Sequence, residues 1–409
     1  MTRESAVSLG GALLLLLAAE GAAAQSSHPP PQADIDRSVD AGAKFLLEAW
    51  AREPNEPAYK GDTLVFYALL AAGRGNEPRT GKLLQRILAT PLDGTDFPVY
   101  DVGLRAMALA HADPVRYQTE IARCAWWLVN AQTDNGQWDY DGPQDGEVPK
   151  KFDTVPWSGP VPTGKNATGR TGLKVERRAK WVAANPRREG ILRNASTTQY
   201  GLLGLFAARS AFIIVPEETW KKAEEMLLRT QDGKEGGWAY IDPKDKSNQW
   251  QPVDPPSHLD HTLMILSCLS ILKRVRERAS PEIDKAADRA FHYLTRRADW
   301  LGEYLRTMPQ DKDGGLTLIY HFYDLYSIER VGIFWDRDKL GGMAWYALGA
   351  RQLLQKQTGD GSWGLNYRDG SSDKLVNTSF AILFLKRTVA GMPTPTQGNK
   401  PRPDVPTGK

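Results

Sequence analysis

Two kinds of segment take turns along this chain. One kind carries apolar residues at helical spacing with charged residues between them, over 35–51, 79–90, 115–133, 217–231, 283–300 and 340–357. In "PEETWKKAEEMLLRTQ" the residues Trp220, Ala223, Met226 and Leu227 share one face, and Pro216 before Glu217 and Glu218 marks a helix start. The other kind is apolar on every side, over 62–73, 100–112, 196–208, 259–272, 316–332 and 377–387. A helix without a polar face is one covered on both sides. Six such alternations predict six stacked helical hairpins. Closed into a ring, they give an all-α toroid over 34–390, with apolar helices inside and amphipathic ones outside. The alternative is an open solenoid, which needs polar capping repeats that the sequence does not display. Strand signals are scarce.

The flanks read differently. Leu9 to Ala19 is an apolar run too short to span a bilayer, and Ala22-Ala23-Ala24 before Gln25 is the small-residue pattern of a cleavage site. Residues 1–24 therefore read as a secretory signal, with an uncleaved anchor as the alternative, and the protein is expected to be secreted or periplasmic. No later segment is long and apolar enough to cross a membrane. Residues 25–33 and 391–409 are polar and Pro-rich and are expected to be disordered. Residues 141–193 interrupt the helical rhythm. Within it, Gly146 to Arg193 carries 11 Lys or Arg against 4 Asp or Glu. A loop of this length is a solvated basic arm or a lid that could hold an anionic or protein partner. Cys124 and Cys268 are the only cysteines and lie in apolar runs, so buried free thiols are expected, with a single bridge as the alternative. A net charge of +3 gives no reason to expect nucleic acid.

Three stretches repeat one pattern: "WWLVNAQTDNGQWDY" from Trp126, "MLLRTQDGKEGGWAY" from Met226 and "QLLQKQTGDGSWGLNY" from Gln352. They share Leu128, Gln132, Gly136 and Trp138; Leu227, Gln231, Gly236 and Trp238; Leu353, Gln357, Gly361 and Trp363. This resembles the QW motif of squalene-hopene and oxidosqualene cyclases, with related repeats in protein prenyltransferase β subunits. Degenerate copies without the Gln stand at "KFLLEAW" and "HYLTRRADW". The resemblance implies the α/α toroid of that superfamily. The C-terminal part looks most like exported bacterial proteins with squalene-cyclase-type repeats, a group mostly without an assigned reaction. The motif's own chemistry is structural. Its Leu anchors an outer helix, its Gln is expected to satisfy carbonyls at that helix's C-terminus, its Gly permits the left-handed turn, and its Trp packs over it.

The reactions of the superfamily lack their residues here. The chain has no Asp-x-Asp-Asp acid motif for alkene protonation, no Asp-Asp-x-x-Asp for a magnesium diphosphate, and no Asp, Cys and His set for zinc. A weaker constellation remains. His258, Asp260 and His261 begin one apolar helix, while His321, Asp324, Glu329 and Arg330 lie on the next. If all inner helices point one way, Asp62, Tyr100, Asp101, Asn194 and Asn377 share the same rim. The plain reading makes Asp62, Asp260 and Asn377 helix caps with polar rim histidines. The functional reading makes His261, His321, Asp260 and Glu329 catalytic, with His258, Asp101, Tyr200, Tyr320, Tyr323 and Arg330 binding a ligand. A metal would require His321 or another residue to complete the pair His258 and His261. Six helix N-termini around one mouth favour an anionic ligand, partly offset by the carboxylates. Tyr200, Phe206, Tyr320, Phe322, Tyr323, Tyr326, Phe380 and Phe384 serve as core, as a carbocation or isoprenoid wall, or as a sugar-stacking cleft.

Three functions therefore stay open. The first is an exported repeat protein binding an anionic or isoprenoid-like ligand in a central cavity, without the cyclase or prenyltransferase chemistry. The second is a polysaccharide lyase or hydrolase of the cell envelope. The third is a non-catalytic scaffold whose basic loop, 146–193, recruits a protein.

Overall fold

A computed structural model describes residues 28–50, 61–95, 97–143, 146–157, 171–178, 195–239, 257–276, 280–306, 321–364 and 374–388. The proposed signal, the tail, Asn194 and Tyr320 lie outside the described residues. Of the described residues, 64% are helical and 5% strand, which makes this an all-α protein.

The helices are α1 (Gln32–Ala49), α2 (Asp62–Ala71), α3 (Pro78–Ala89), α4 (Pro98–Ala112), α5 (Gln118–Ala131), α6 (Ala195–Ser210) and α7 (Glu217–Arg229). Then follow α8 (Leu259–Val275), α9 (Glu282–Arg296), α10 (Ala298–Arg306), α11 (His321–Phe334), α12 (Trp345–Lys356) and α13 (Lys374–Lys386). The apolar set is α2, α4, α6, α8, α11 and α13. Each packs on the next, and α13 returns to α2, so the six form a closed cycle of neighbours. The amphipathic helices lie against them, with α1 touching α12, α13 and α2 at the junction of the chain's two ends. In α9 the buried stripe Ile283, Ala286, Ala287, Ala290, Tyr293 and Leu294 has the spacing of one helical face. The segment 283–300, expected as one helix, is divided at Arg297 into α9 and α10. The closest approach in the inner ring is between α4 and α6. A side chain on Gly103 would sit 2.6 Å from the Tyr200 carbonyl oxygen, and one on Gly204 would sit 2.8 Å from the Gly103 Cα.

The repeated motif joins the layers in the same way three times. Each Trp indole donates to the carbonyl of its own motif Leu: Trp138 to Leu128 at 2.8 Å, Trp238 to Leu227 at 2.9 Å and Trp363 to Leu353 at 2.8 Å. Each Trp backbone N–H donates to a threonine hydroxyl in the first turn of the following inner helix, Thr198, Thr262 or Thr378. The Gln does not cap its own helix as expected. Its amide bridges the motif Gly carbonyl and a carbonyl of another outer helix: Thr219 of α7 for Gln132, Ala286 of α9 for Gln231 and Ser38 of α1 for Gln357. The Trp fills the capping role, because only the indole lies over the end of its own helix. Gln357 ties the last outer helix to the first, and Ser38 Oγ returns a bond to its Oε1 at 2.8 Å. The three glycines take φ of 99°, 83° and 85° and back onto those same neighbouring helices. In the degenerate copy Trp50 has a different partner, the Asp62 carboxylate at 2.9 Å.

The basic arm is partly built into the structure, which the sequence reading did not anticipate. Strand β1 (Asp153–Pro156) pairs antiparallel with β2 (Thr171–Lys174), which runs parallel to β3 (Ile213–Ile214) after α6. Asn130 of α5 donates to the Glu176 carbonyl and accepts from the Arg178 N–H, and Arg177 donates to the motif residue Gln132. Both cysteines are buried and free. Burial pushes the Cys124 thiol up to about 12, so it stays protonated.

Candidate functional site

The two ends of the inner ring can be told apart from hydrogen bonds. At one end first turns meet: Thr63 donates to Asp101 at 2.5 Å, and the hydroxyls of Tyr100 and Ser196 are 2.6 Å apart. At the other, C-termini meet, with Ser270 donating to the Phe334 carbonyl at 3.0 Å. The connections that enter the inner helices are 50–61, 90–97, 132–194, 230–258, 307–320 and 357–373. Those that leave them are 72–77, 113–117, 211–216, 276–281 and 335–344. Chain length is therefore concentrated at the end where inner helices begin, here called the mouth. Loops held by a rigid scaffold are where binding groups concentrate.

At the mouth the four carboxylates have different environments. Asp62 accepts from the Trp50 indole and pairs with Arg86 at 2.9 Å, which makes it a clasp between α1, α2 and α3. Asp101 is buried, and burial raises its pKa although Thr63 and Arg105 pull the other way. Asp260 follows His258, which precedes the first residue of α8. Its carboxylate accepts from the His261 N–H at 2.8 Å and lies 3.0 Å from His261 Nδ1. Burial alone would raise the Asp260 pKa, but the His261 imidazole and N–H beside it bring it down to about 2. An ionised carboxylate accepts only, so the contact with Asp260 places a proton on His261 Nδ1. The His258 ring stands 5.9 Å from that of His261. Burial lowers the His258 pKa.

Asp324, on the neighbouring helix α11, is held the opposite way. Burial raises its pKa well above the ordinary carboxyl value, and the nearby Asp260 charge adds to the rise. Its Oδ2 meets the Tyr304 hydroxyl at 2.9 Å, and that hydroxyl is also 3.1 Å from the His321 carbonyl. One hydroxyl proton cannot serve two acceptors. A proton on Asp324 lets both contacts be hydrogen bonds.

The expected partnership of His321 with the other histidines is not formed. His321 is fully buried and turns toward the outer layer, where Nε2 meets Gln352 Oε1 at 2.9 Å and the Tyr304 ring lies 4.7 Å away. Burial pulls its pKa down to about 4. Among the described residues no cluster of three His, Cys, Asp or Glu is arranged to hold a metal ion. Glu329 lies two turns along α11 from His321 and is fully buried against Arg330, whose Nε donates to it at 2.9 Å. Arg330 also donates to the Thr388 carbonyl and stands 3.9 Å above the Tyr326 ring. Asn377 is in the first turn of α13 with a buried, unpartnered amide nitrogen.

Beneath the mouth, aromatic rings from four inner helices meet. Tyr100 packs on Tyr200 at 5.1 Å, Tyr200 stacks on Tyr323 at 5.9 Å, and Phe380 lies 5.6 Å from Tyr323 and 5.3 Å from Tyr326. The Tyr323 hydroxyl donates to Gln199, whose amide donates to Ser267. These rings form a floor across the ring of helices. Tyr304, Gln352 and Gln199 were not found from sequence, because each is brought to the site by contacts distant in the chain.

No family model matches this chain, and neither a curated protein nor a solved structure matches it. Among the described residues no helix is long and apolar enough to cross a membrane.

Proposed function

We propose that this chain is an exported toroid of the cyclase and prenyltransferase repeat type that binds a hydroxyl-rich ligand, of the carbohydrate class, at the mouth of its inner ring. The observation that carries this reading is the pair of neighbouring carboxyls with opposed environments: Asp260 sits 3.0 Å from the His261 imidazole, which holds its pKa down, and Asp324 is buried against the Tyr304 hydroxyl at 2.9 Å, where burial pushes its pKa up. Groups whose environments drive their pKa values apart are the mark of acid–base work. In this reading His261 accepts a proton at Nε2, oriented by Asp260, and Asp324 is the proton donor. Sugar hydroxyls donate to carboxylates and sugar faces stack on aromatic rings, and the mouth offers both. A polyprenyl diphosphate fits less well, because its charged head would meet ionised Asp260 and its chain would need passage through the tyrosine floor.

A thermal-shift screen of the mature protein with neutral and acidic oligosaccharides and with polyprenyl diphosphates tests this. A ligand at about a hundred times its dissociation constant stabilises by about 2.7 kcal/mol, an effect such a screen reads easily. Stabilisation by oligosaccharides, with turnover abolished in His261→Ala, is the expected result. Stabilisation by the isoprenoids alone would replace the carbohydrate reading with a lipid pocket.

A further inference from the structure

The first and third copies of the motif close on the same turn and differ in one side chain. In "TDNGQW" position 135 is Asn, and in "TGDGSW" the matching position, 360, is Asp. Thr133 N–H donates to the Gln137 carbonyl and Thr358 N–H to the Ser362 carbonyl, both at 2.9 Å. Gly136 N–H donates to the Thr133 carbonyl at 3.0 Å, and Gly361 N–H to that of Thr358 at 2.9 Å. Inside each turn one side-chain oxygen is the acceptor. Asn135 Oδ1 takes the Gln137 N–H at 3.3 Å, and Asp360 Oδ1 takes the Ser362 N–H at 3.0 Å. A threonine hydroxyl meets that oxygen in both turns, Thr133 at 2.7 Å and Thr358 at 2.6 Å. The Asn135 amide nitrogen donates to nothing among the described residues. The first turn therefore uses its asparagine only as an acceptor, a role that a carboxylate fills in the third. There the bonds from Ser362 and Thr358 hold the Asp360 pKa below the usual carboxylate range, and Lys374 meets its other oxygen at 3.0 Å. Beside the first turn stands Lys222, bonded to the Asp134 carbonyl at 3.0 Å.

Asn135-Gly136 is the one Asn-Gly pair in the chain. The chain itself holds the Gly136 nitrogen next to the Asn135 amide carbon, and glycine has no side chain to hinder its approach. Attack at that carbon places negative charge on Oδ1, the atom that already receives the Gln137 N–H. The Thr133 hydroxyl stands 2.7 Å from Oδ1 and 2.8 Å from the Gln137 carbonyl, so its one proton turns to the oxygen that carries more charge. Donors aimed at a developing oxyanion lower the barrier to acyl transfer. Nucleophile, oxyanion donors and an unbonded leaving group thus share one turn. Base must take the Gly136 proton away from the Thr133 carbonyl, so the reaction accelerates as pH rises.

We propose that Asn135 is a site of self-modification, at which the folded turn converts the asparagine into an aspartate like that of the third motif. The Gly136 nitrogen bonds to Asn135 Cγ, ammonia leaves carrying the Gly136 proton, and water opens the resulting succinimide. The net change is one water in and one ammonia out, with no oxidant or cofactor. Opening at the new Cγ–N bond restores the backbone and gives an ordinary aspartate, which keeps both contacts of Oδ1. Opening at the backbone carbonyl instead would insert a methylene into the main chain and displace the Gly136 carbonyl that accepts from Gln132. The folded turn selects the first product for that reason. Each conversion adds one negative charge beside Lys222, where the first motif links α5 to α7.

The test is incubation of the full mature chain at mildly alkaline pH, folded and in urea, followed by peptide mass spectrometry that separates the two aspartate isomers. The expected result is a gain of one dalton in the peptide that holds residue 135, with ordinary aspartate as the main product. The folded protein should react about tenfold faster than the chain in urea, a smaller factor than a fully buried oxyanion donor gives. Thr133→Val removes the hydroxyl donor and should slow the folded reaction toward the rate in urea, with equal melting temperatures to show that the variant folds. Asn135→Asp should melt with the unaltered protein, because the third turn already holds a carboxylate. A folded protein that stays unmodified while the chain in urea converts would overturn the proposal, since the turn would then protect its asparagine. Equal rates in the two states would overturn it as well and leave the reaction to the Asn-Gly pair alone. A lower melting temperature in Asn135→Asp would overturn the claim that the turn accepts the product.

Discussion

The two ends of the inner ring differ in the side chains that meet the helix ends, acids where the inner helices begin and arginines where they finish. Asp62, Asp101, Asp260 and Asp324 stand in first turns at the mouth, while Arg274 donates to the Phe334 carbonyl and Arg330 to the Thr388 carbonyl at the far end. Helix dipoles account for this arrangement without any function, since acids suit N-termini and bases suit C-termini. What the dipole does not require is therefore the informative part. At the mouth that surplus is two histidines, a buried Asp324, a floor of aromatic rings and the long connections. At the far end the connections are short, and Glu329 is locked against Arg330.

The far end should give the largest effect. Arg330→Ala would leave Glu329 buried and unpaired, at a cost of about 3–5 kcal/mol in urea unfolding. Replacing both, Arg330→Met with Glu329→Leu, should restore most of that stability, because an apolar pair needs no partner. If the double variant is as weak as the single one, the pair has a role beyond mutual neutralisation. At the mouth end, Gly136→Ala should cost about 3 kcal/mol. It forces a side chain into a φ of 99° and to within 2.2 Å of the Lys222 carbonyl oxygen. Gly233→Ala has open space around it and serves as the control in the same melts.

The sequence made some of this contrast legible and hid the rest. The alternation of amphipathic and apolar segments depends only on local periodicity, so α1 to α13 were visible apart from the break at Arg297. The motif positions were visible because Leu, Gln, Gly and Trp recur at fixed spacing. Their partners were not: Gln132 reaches Thr219 and Gln357 reaches Ser38, contacts that exist only once the helices have stacked. His321 and His261 looked like one constellation because both begin inner helices. A rotation of one side chain toward Gln352 separates them, and nothing near His321 in sequence encodes that rotation. The strands were missed because four-residue segments such as "TGLK" carry no usable alternation.

A smaller effect tests whether the ring is held shut at the mouth end. Gln357→Ala removes bonds to Ser38 and Gly361 and should cost about 2 kcal/mol. Gln132→Ala breaks the equivalent link between α5 and α7. If closure between the chain's two ends is special, amide exchange in α1 and α12 should rise in Gln357→Ala alone. Equal local loosening in both variants would make the three motifs interchangeable.

The finest distinction is between the two mouth carboxyls, and it has a sign. Asp260 has its folded pKa lowered to about 2, so its contribution is present above the unfolded value and lost as pH falls from about 4 toward 2. Asp260→Asn should therefore cost up to about 2 kcal/mol at neutral pH and flatten that acid limb. Asp324 has its folded pKa raised, so its contribution is present below the unfolded value and lost as pH rises through the folded one. At neutral pH the site resists the charge, and Asp324→Asn, which imitates the protonated acid, should raise the melting temperature rather than lower it. Melts of both variants from pH 3 to 8 would read the opposite slopes directly. Parallel slopes would mean that the two carboxyls share one environment, and the acid–base assignment at the mouth would fall with that result.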